Sequence, residues 1–562
     1  VPSSVESRPA ATDARAFGVS ASASRWLLAA IVLAAVVLRL PGLDGGPGYA
    51  NHDERLYVPK SIQYGSGDLN PHWFFNPPLM SYLMFAGQIV RYAAGRISGE
   101  FTSSADFRAD FAADASAAFL TARIVVVIVA ACAVLHAAWF ARRVAAAWGC
   151  AEDAARAAGL IAAAGLAACA LHVEWSRNAT NDVAVTLAYT LTAHAAFELA
   201  REPTMRRALV AGLVAGVAAG TKYTGAFASL PVGVACFAAA GLAPGRRVVL
   251  AAAAGAAFFG GFLAVCPWAV LDWPTFHRSA YLQVFESRGR HPAESWYYVE
   301  VAWRAGFGPV WSVLAILAAA VAAASARAWE TVRARTTIVL LAASLLLPCY
   351  LTWRRALVME RYLLPALPTA MVLVTAWCCA QSGAAGVWLR RAALAAAVVA
   401  LGLRAADMPE RIRDASRPRN EDVVIAWMRA NVEDGALVVS DYDFPWLVRH
   451  EDRERLAPSL SPEWAAKMTP GFRIRPSYYR FADPILDVDE HGTRSDDWAA
   501  LAKLGPAYVL ESWRARDLFG KFEPGDYPGE RWHRDVARSL PVVRHFPAEG
   551  RSGTGYTLYA IR

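Results

Sequence analysis

Two adjacent carboxylates, Asp53 and Glu54, open the stretch NHDERLYVPKSIQYGSGDLNPHWFFNPPL at residues 51–79, just past the first long apolar run of the chain. An acid beside a membrane must be hydrated or paired, and acids kept in such places tend to be functional. A blander reading takes Asn51 as a helix cap with Glu54 reaching back to its backbone amide. That reading accounts for Glu54 and not for Asp53, which is either an active-site acid or a solvated cap. A second polar group is WSRNATND, where Asn178, Asn181 and Asp182 are three and four residues apart and are predicted to share one helical face. Asp182 there either pairs with Arg177 or caps the helix that follows.

These groups have to be positioned by a largely apolar chain. It has 562 residues, 56% of them hydrophobic, and a mean hydropathy of +0.28, too apolar for an ordinary soluble enzyme. The pattern predicts a polytopic all-α membrane protein with about eleven spans, at 25–42, 118–140, 155–172, 182–200, 206–220, 225–241, 248–270, 306–325, 336–353, 363–380 and 387–404. A cytoplasmic tail at 1–24 precedes them, and a long outer loop fills 43–117. Arginines at 8, 15, 25, 142, 143, 206, 207, 246, 247, 327, 333, 335, 390 and 391 all fall on one face if the spans alternate. By the positive-inside rule that face is the cytoplasm, and Asp53 lies outside. The formal net charge of +8 largely records this topology and gives no reason to expect a nucleic-acid partner. The first apolar run lacks a small-residue cleavage site and reads as a retained span. Seven of the eight cysteines lie in apolar runs, which excludes a disulfide framework.

Cations on the outer face break the charge rule. They are Arg354, Arg355 and Arg361 in TWRRALVMERY, Lys222 in GTKYTG, and Arg177. Long basic side chains there can snorkel to lipid headgroups. From about residue 405 the apolar runs stop and an extracytoplasmic α/β domain is predicted. Its elements are a helix around Glu421–Asn431, a strand in GALVVSDY, a helical SPEWAAKM, DDWAALAKLG leading into PAYVLES, and a closing pair, PVVRHF and GYTLYAIR. Asp441 and Asp443 follow a strand end, where open α/β sheets bind ligands, although acids are commoner there as surface-turn residues.

The first apolar span, the DE-R-Y opening of the outer loop (Asp53, Glu54, Arg55, Tyr57) and Pro77-Pro78-Leu79 about 20–25 residues later resemble the polyprenyl-phosphate-dependent glycosyltransferases of the GT-C fold, among the relatives of protein O-mannosyltransferases and lipid A aminoarabinose transferase. SRNATNDVAVTLAYTLT, GLVAGVAAGTKYTG, CPWAVLDW and ERYLLPALP match in order. The resemblance covers about 350 residues and leaves out the terminal domain. It implies transfer of a hexose or pentose, with inversion, from a polyprenyl-phosphate donor to a protein, lipid or glycan acceptor at the outer face of a cell inner (plasma) membrane. The Ala- and Arg-rich composition points to a bacterium. The family's loop aspartate maps onto Asp53 as base or hydrogen-bond acceptor, with Glu54 beside it. Lys222, Arg361, Tyr362, Arg177, Asn181, Asp182, Tyr57 and His291 become the candidate contacts to phosphate or sugar, since a lipid-phosphate leaving group needs cations.

The sequence departs from the family before the double proline, where Asn76 and Phe75 replace an expected lysine and, in the aminoarabinose branch, an acid. No cofactor is assigned by the motifs. A divalent metal ion stays open, with His72, His277 and His291 as ligands in place of the missing acid, against the commoner case of isolated non-ligand histidines. The aromatics Trp73, Phe74, Phe75, Trp296, Tyr297 and Tyr298 fit an interfacial belt, with Trp296–Tyr298 the candidates for a sugar or polyprenyl groove. A transporter or flippase would share many of these features, but the internal repeat usual in secondary transporters is missing. A sensor would leave the polar motifs unexplained.

Overall fold

The computed structural model describes residues 19–44, 53–239, 241–281, 297–306, 308–325, 331–354, 359–381, 383–416, 420–440, 447–476, 498–503, 505–513, 539–547 and 555–561. Two units are formed. One comprises Val1–Leu40, Gln63–Met84 and Arg123–Met408, and the other Pro41–Ile62, Phe85–Ala122 and Pro409–Arg562.

The first unit is helical, and the chain has a helix at or near each position where a span is expected. Ser116–Ala147, Asp182–Arg201, Pro244–Val265, Val332–Tyr350, Glu360–Ala380 and Gly386–Arg413 are long and apolar enough to cross a membrane; Ala21–Val37, Tyr223–Phe237 and Gly308–Ala318 are shorter apolar helices. Six helices among the described residues thus meet the length and apolarity of a span, where about eleven were expected. Two of the expected spans are interrupted. Glu152–Ala168 and Met205–Thr221 stop after 17 residues, about 26 Å of helix against a core of about 30 Å. The protein is nonetheless a multi-pass membrane protein.

Glycines bring two of these helices to backbone contact. In Met205–Thr221, Gly212 and Gly216 face Ala254 and Phe258 of Pro244–Val265, and Gly261 faces Leu213 in return. A Cβ at any of the three would run into a carbonyl oxygen. This small-residue spacing lets helices approach where lipid gives no hydrophobic drive.

Two of the arginines read as marking the cytoplasmic face, Arg143 and Arg207, meet at Glu198 together with Arg201. Arg143 Nε lies 2.7 Å and Arg201 Nη1 2.8 Å from Glu198, with Arg207 at 3.6 Å. Asp182 begins the helix that Arg201 ends. Twenty residues of helix separate the two by about 30 Å, a membrane thickness.

The second unit holds a five-stranded sheet. Its strands are β1 (Leu437–Ser440), β2 (Arg473–Pro476), β3 (Ala507–Ser512), β4 (Val542–Phe546) and β5 (Tyr556–Ile561), in the order β2-β1-β3-β5-β4. β1 is parallel to β2 and β3, whereas β5 is antiparallel to β3 and β4. Alternate residues build two cores, Val439, Val509 and Ile561 on one face and Val438, Leu510 and Leu558 on the other. The outer-loop helix Ser104–Ala113 packs within the same unit. Phe101, Ala109 and Ala113 share a core with Leu456, Trp464 and Met468, and Asp106 accepts from the Ser461 amide. Asp441 and Asp443 lie outside the described residues.

Candidate active site

The helix Met205–Thr221 is carried against its neighbour by the glycine seam and ends at Lys222, whose backbone is extended (φ −155°, ψ 140°). Lys222 Nζ lies 2.5 Å from Asp182 Oδ1, and Arg361 Nη1 lies 3.9 Å from Asp182 Oδ2. Thr180 Oγ1 donates to the same Oδ2 at 3.0 Å. The Asp182 side chain is only 2% exposed, and those of Lys222 and Arg361 are 9% exposed. Asp182 is the first residue of its helix, where the macrodipole also favours a negative charge. Aromatic rings line the cations. The Arg361 guanidinium sits 4.9 Å from the Trp175 ring, and Lys222 Nζ 4.9 Å from the Tyr362 ring. Arg361 and Tyr362 belong to the 3₁₀ turn Glu360–Ala366.

The double-proline loop is tied to this cluster at two points. Asn181, at the helix cap, donates to Thr221 O at 3.1 Å and to Asn76 Oδ1 at 3.2 Å. Tyr223, next to Lys222, donates to Phe74 O at 2.6 Å. Farther along, Asn70 Nδ2 donates to Asp272 Oδ2 at 2.8 Å, and His72 sits between Asp68 at 2.7 Å and Asp272 at 3.8 Å. Hydrogen bonds from Asn70 and Thr275 hold the Asp272 carboxyl below its ordinary range. Asn76, where the family has a lysine, therefore meets a neutral amide.

In the second unit, Asp53 stands at the start of the helix Glu54–Gln63, and its carbonyl accepts from the Leu56 and Tyr57 amides at 3.0 and 3.2 Å. Glu54 is fully buried and Tyr57 nearly so. Asn51 lies outside the described residues.

Several expectations are corrected. Asn178 does not share a helical face with Asn181 and Asp182, because residues 176–181 form turns and bends before the helix begins. The ionic partners of Asp182 are Lys222 and Arg361, while Arg177 lies 3.7 Å from Glu174. Phe74 is no belt residue: it is buried edge-on against Phe276. Tyr298 is buried and Tyr297 packs against the same core. His291, Trp296 and Arg355 lie outside the described residues, and Arg354 ends the helix Val332–Arg354. His277 packs against Trp273. Among the described residues, no group of three His, Cys, Asp or Glu is arranged to hold a metal ion. Trp175, Thr180 and Tyr223 were not singled out from the sequence. Their one signal was adjacency, since each lies within two residues of a charged or amide residue that was.

No protein-family model matches the chain, and no curated protein does. Solved structures do. ArnT (lipid A aminoarabinose transferase) from Cupriavidus metallidurans in the apo state superposes with a TM-score of 0.60 at 14% identity, covering 96% of this chain and 99% of that one. The same protein bound to undecaprenyl phosphate gives 0.57 at 12% identity, covering 97% and 99%. An Archaeoglobus fulgidus oligosaccharyltransferase in the apo form gives 0.48 at 13%, covering 87% and 69%. Over nearly its whole length, the small terminal sheet domain included, this chain has the GT-C fold of ArnT.

Proposed function

We propose that the protein is a membrane glycosyltransferase that moves a sugar from a polyprenyl-phosphate donor to an acceptor hydroxyl at the outer face of the membrane. The observation that carries this reading is the gathering of Lys222 and Arg361 around one buried carboxylate, at the helix ends away from the arginine-rich loops. It is joined by the fold shared with ArnT, a protein also solved with undecaprenyl phosphate bound. Lys222 with three N–H donors and Arg361 with five are the cationic donor types that hydrogen-bond phosphate oxygens.

In the proposed reaction the acceptor oxygen attacks the anomeric carbon as the bond to the phosphate oxygen breaks. The bonding pair leaves with the lipid phosphate, whose charge Lys222 and Arg361 stabilise. The hydroxyl proton passes to the Asp53 carboxylate, help typically contributing about 10²–10⁴-fold. One displacement inverts the anomeric centre. Asp182, Asn181, Tyr362 and Arg177 shape the donor site, and Glu54 and Tyr57 support Asp53. The C-terminal α/β domain, extracytoplasmic in this reading, binds the acceptor or has a structural role.

The test supplies purified full-length protein in detergent with polyprenyl-phosphate sugars and candidate protein, lipid and glycan acceptors, and follows lipid cleavage by mass. Cleavage with transfer is expected. Intact donor in every combination, together with movement of the lipid across vesicles, would replace the enzyme by a flippase.

A further inference from the structure

We infer that Arg39 is a positioning residue for the donor site, acting through His172 and Trp175; this rests on the glycosyltransferase reading above. Arg39 follows the first helix and is 1% exposed. Its charge meets backbone and imidazole. Nη1 donates to Ala35 O at 2.6 Å and to Ala167 O at 3.3 Å, and Nη2 lies 2.8 Å from His172 Nδ1.

The two distant contacts straddle a chain break. The helix Glu152–Ala168 stops at Cys169, whose ψ of 115° ends the hydrogen-bond ladder, and a six-residue helix, Ala170–Trp175, resumes beyond it. Such a stop leaves the last carbonyls of the first helix without their usual amides. Arg39 fills one of them, Ala167 O, and with its other nitrogen grips the next helix at His172. One rigid, planar guanidinium therefore sets the direction in which the chain leaves the break.

That direction decides where the donor site lies. Three residues after His172 the short helix presents Trp175 to Arg361, and the turn that follows delivers Thr180 and Asp182. Guanidinium only donates, so His172 Nδ1 accepts and the imidazole is neutral, with its proton on Nε2. Among the described residues that Nε2 is buried without a hydrogen-bond partner. An orphan donor of this kind is a burden to stability, which points to Nδ1, the atom facing Arg39, as the reason for a histidine here.

The test measures KM and kcat for a polyprenyl-phosphate sugar, and equilibrium binding of polyprenyl phosphate, on full-length variants with melting recorded for each. His172→Leu is expected to raise KM and the dissociation constant about tenfold or more, with a smaller change in kcat. His172→Asn, whose amide oxygen can take the place of Nδ1, is expected to stay within about threefold of wild type. Trp175→Leu should reproduce the loss, and His172→Leu with Trp175→Leu should be no worse than the worse single variant. Arg39→Met should behave like His172→Leu where it folds; the neutral His172 pair keeps the test decisive where it does not. Wild-type protein that binds no polyprenyl phosphate overturns the functional reading and this one with it. Wild-type binding with His172→Leu unchanged, equal loss in His172→Asn, or additive loss in the double variant overturns the positioning role alone.

Discussion

Replacing Asp182 by Asn removes one charge and almost no volume from the centre of the candidate site. The carboxylate oxygens lie 2.5 Å from Lys222 Nζ and 3.9 Å from Arg361 Nη1. At an effective dielectric of about 20 the two attractions are about 7 and about 4 kcal/mol. Desolvation of three groups this deeply buried offsets much of that, but breaking a buried pair by removing one member still costs about 3–5 kcal/mol, because the remaining charge keeps its desolvation and loses its partner. Asp182→Asn should therefore melt well below wild type in detergent. Saturating polyprenyl phosphate should recover more of the melting temperature in the variant than in wild type, since its phosphate supplies the missing anion and a ligand stabilises the state it binds. The double variant Asp182→Asn with Lys222→Met should melt above Asp182→Asn alone. An Asp182→Asn protein with wild-type melting and wild-type affinity would refute the picture of two cations held by one carboxylate.

Four further outcomes are expected. Asp53→Asn should fold normally and lose about 10²–10⁴-fold in kcat, the usual contribution of a general base; wild-type turnover would remove the assignment. Gly216→Val should lower the melting temperature and raise KM, because its side chain meets the Phe258 carbonyl and overpacking costs about 1–3 kcal/mol or more. Gly233→Ala, with open space around its Cβ, should be neutral or stabilising by about 0.5–1 kcal/mol. For the loop latch the sign follows from the direction of the Asp272 shift. A carboxyl held below its ordinary value of 3.8 stabilises above that pH and loses the contribution as pH falls through its folded value, so amide protection over residues 68–76, taken relative to the intrinsic exchange rate at each pH, should fall only below about pH 4. Asp272→Asn should lack this Asp272-linked loss of protection across that window.

The terminal sheet was largely legible because strand alternation and helical period are local. All six segments named from GALVVSDY onward correspond to elements in the fold, while β2, only four residues long with charged residues in RIRP, carried too short an alternation to be seen. The membrane helices were legible as apolar runs, but their breaks were not. Cys169 ends a helix within an unbroken apolar stretch, and the side chain that meets the freed Ala167 carbonyl, Arg39, is 128 residues away in the sequence. The site was legible only as a set of misplaced charges. Lys222 and Arg361 stood out individually against the charge rule and Asp182 as part of a polar group, yet that the two cations share this carboxylate is set by helix packing. Pairing of Asp182 with Arg177, one of the two readings that proximity in sequence offered, fails for that reason: Arg177 lies against Glu174, three residues before it.

The placement of charge at helix ends follows from what a bilayer permits. A cation in the middle of a span has to find its partner in hydrocarbon, whereas one at a helix terminus sits where the chain leaves the apolar layer and backbone dipoles help. Breaking helices early, at Cys169 and at Lys222, multiplies such termini within protein interior, where freed carbonyls can be met by side chains such as Arg39 and Asn181. The glycine seam then makes one of these ends rigid and the guanidinium splint makes another, so that Lys222 and Asp182 arrive 2.5 Å apart from different helices. On this argument the interrupted helices are what makes a buried ionic site compatible with a membrane fold, and straightening either break would relocate the charges before it altered the chemistry.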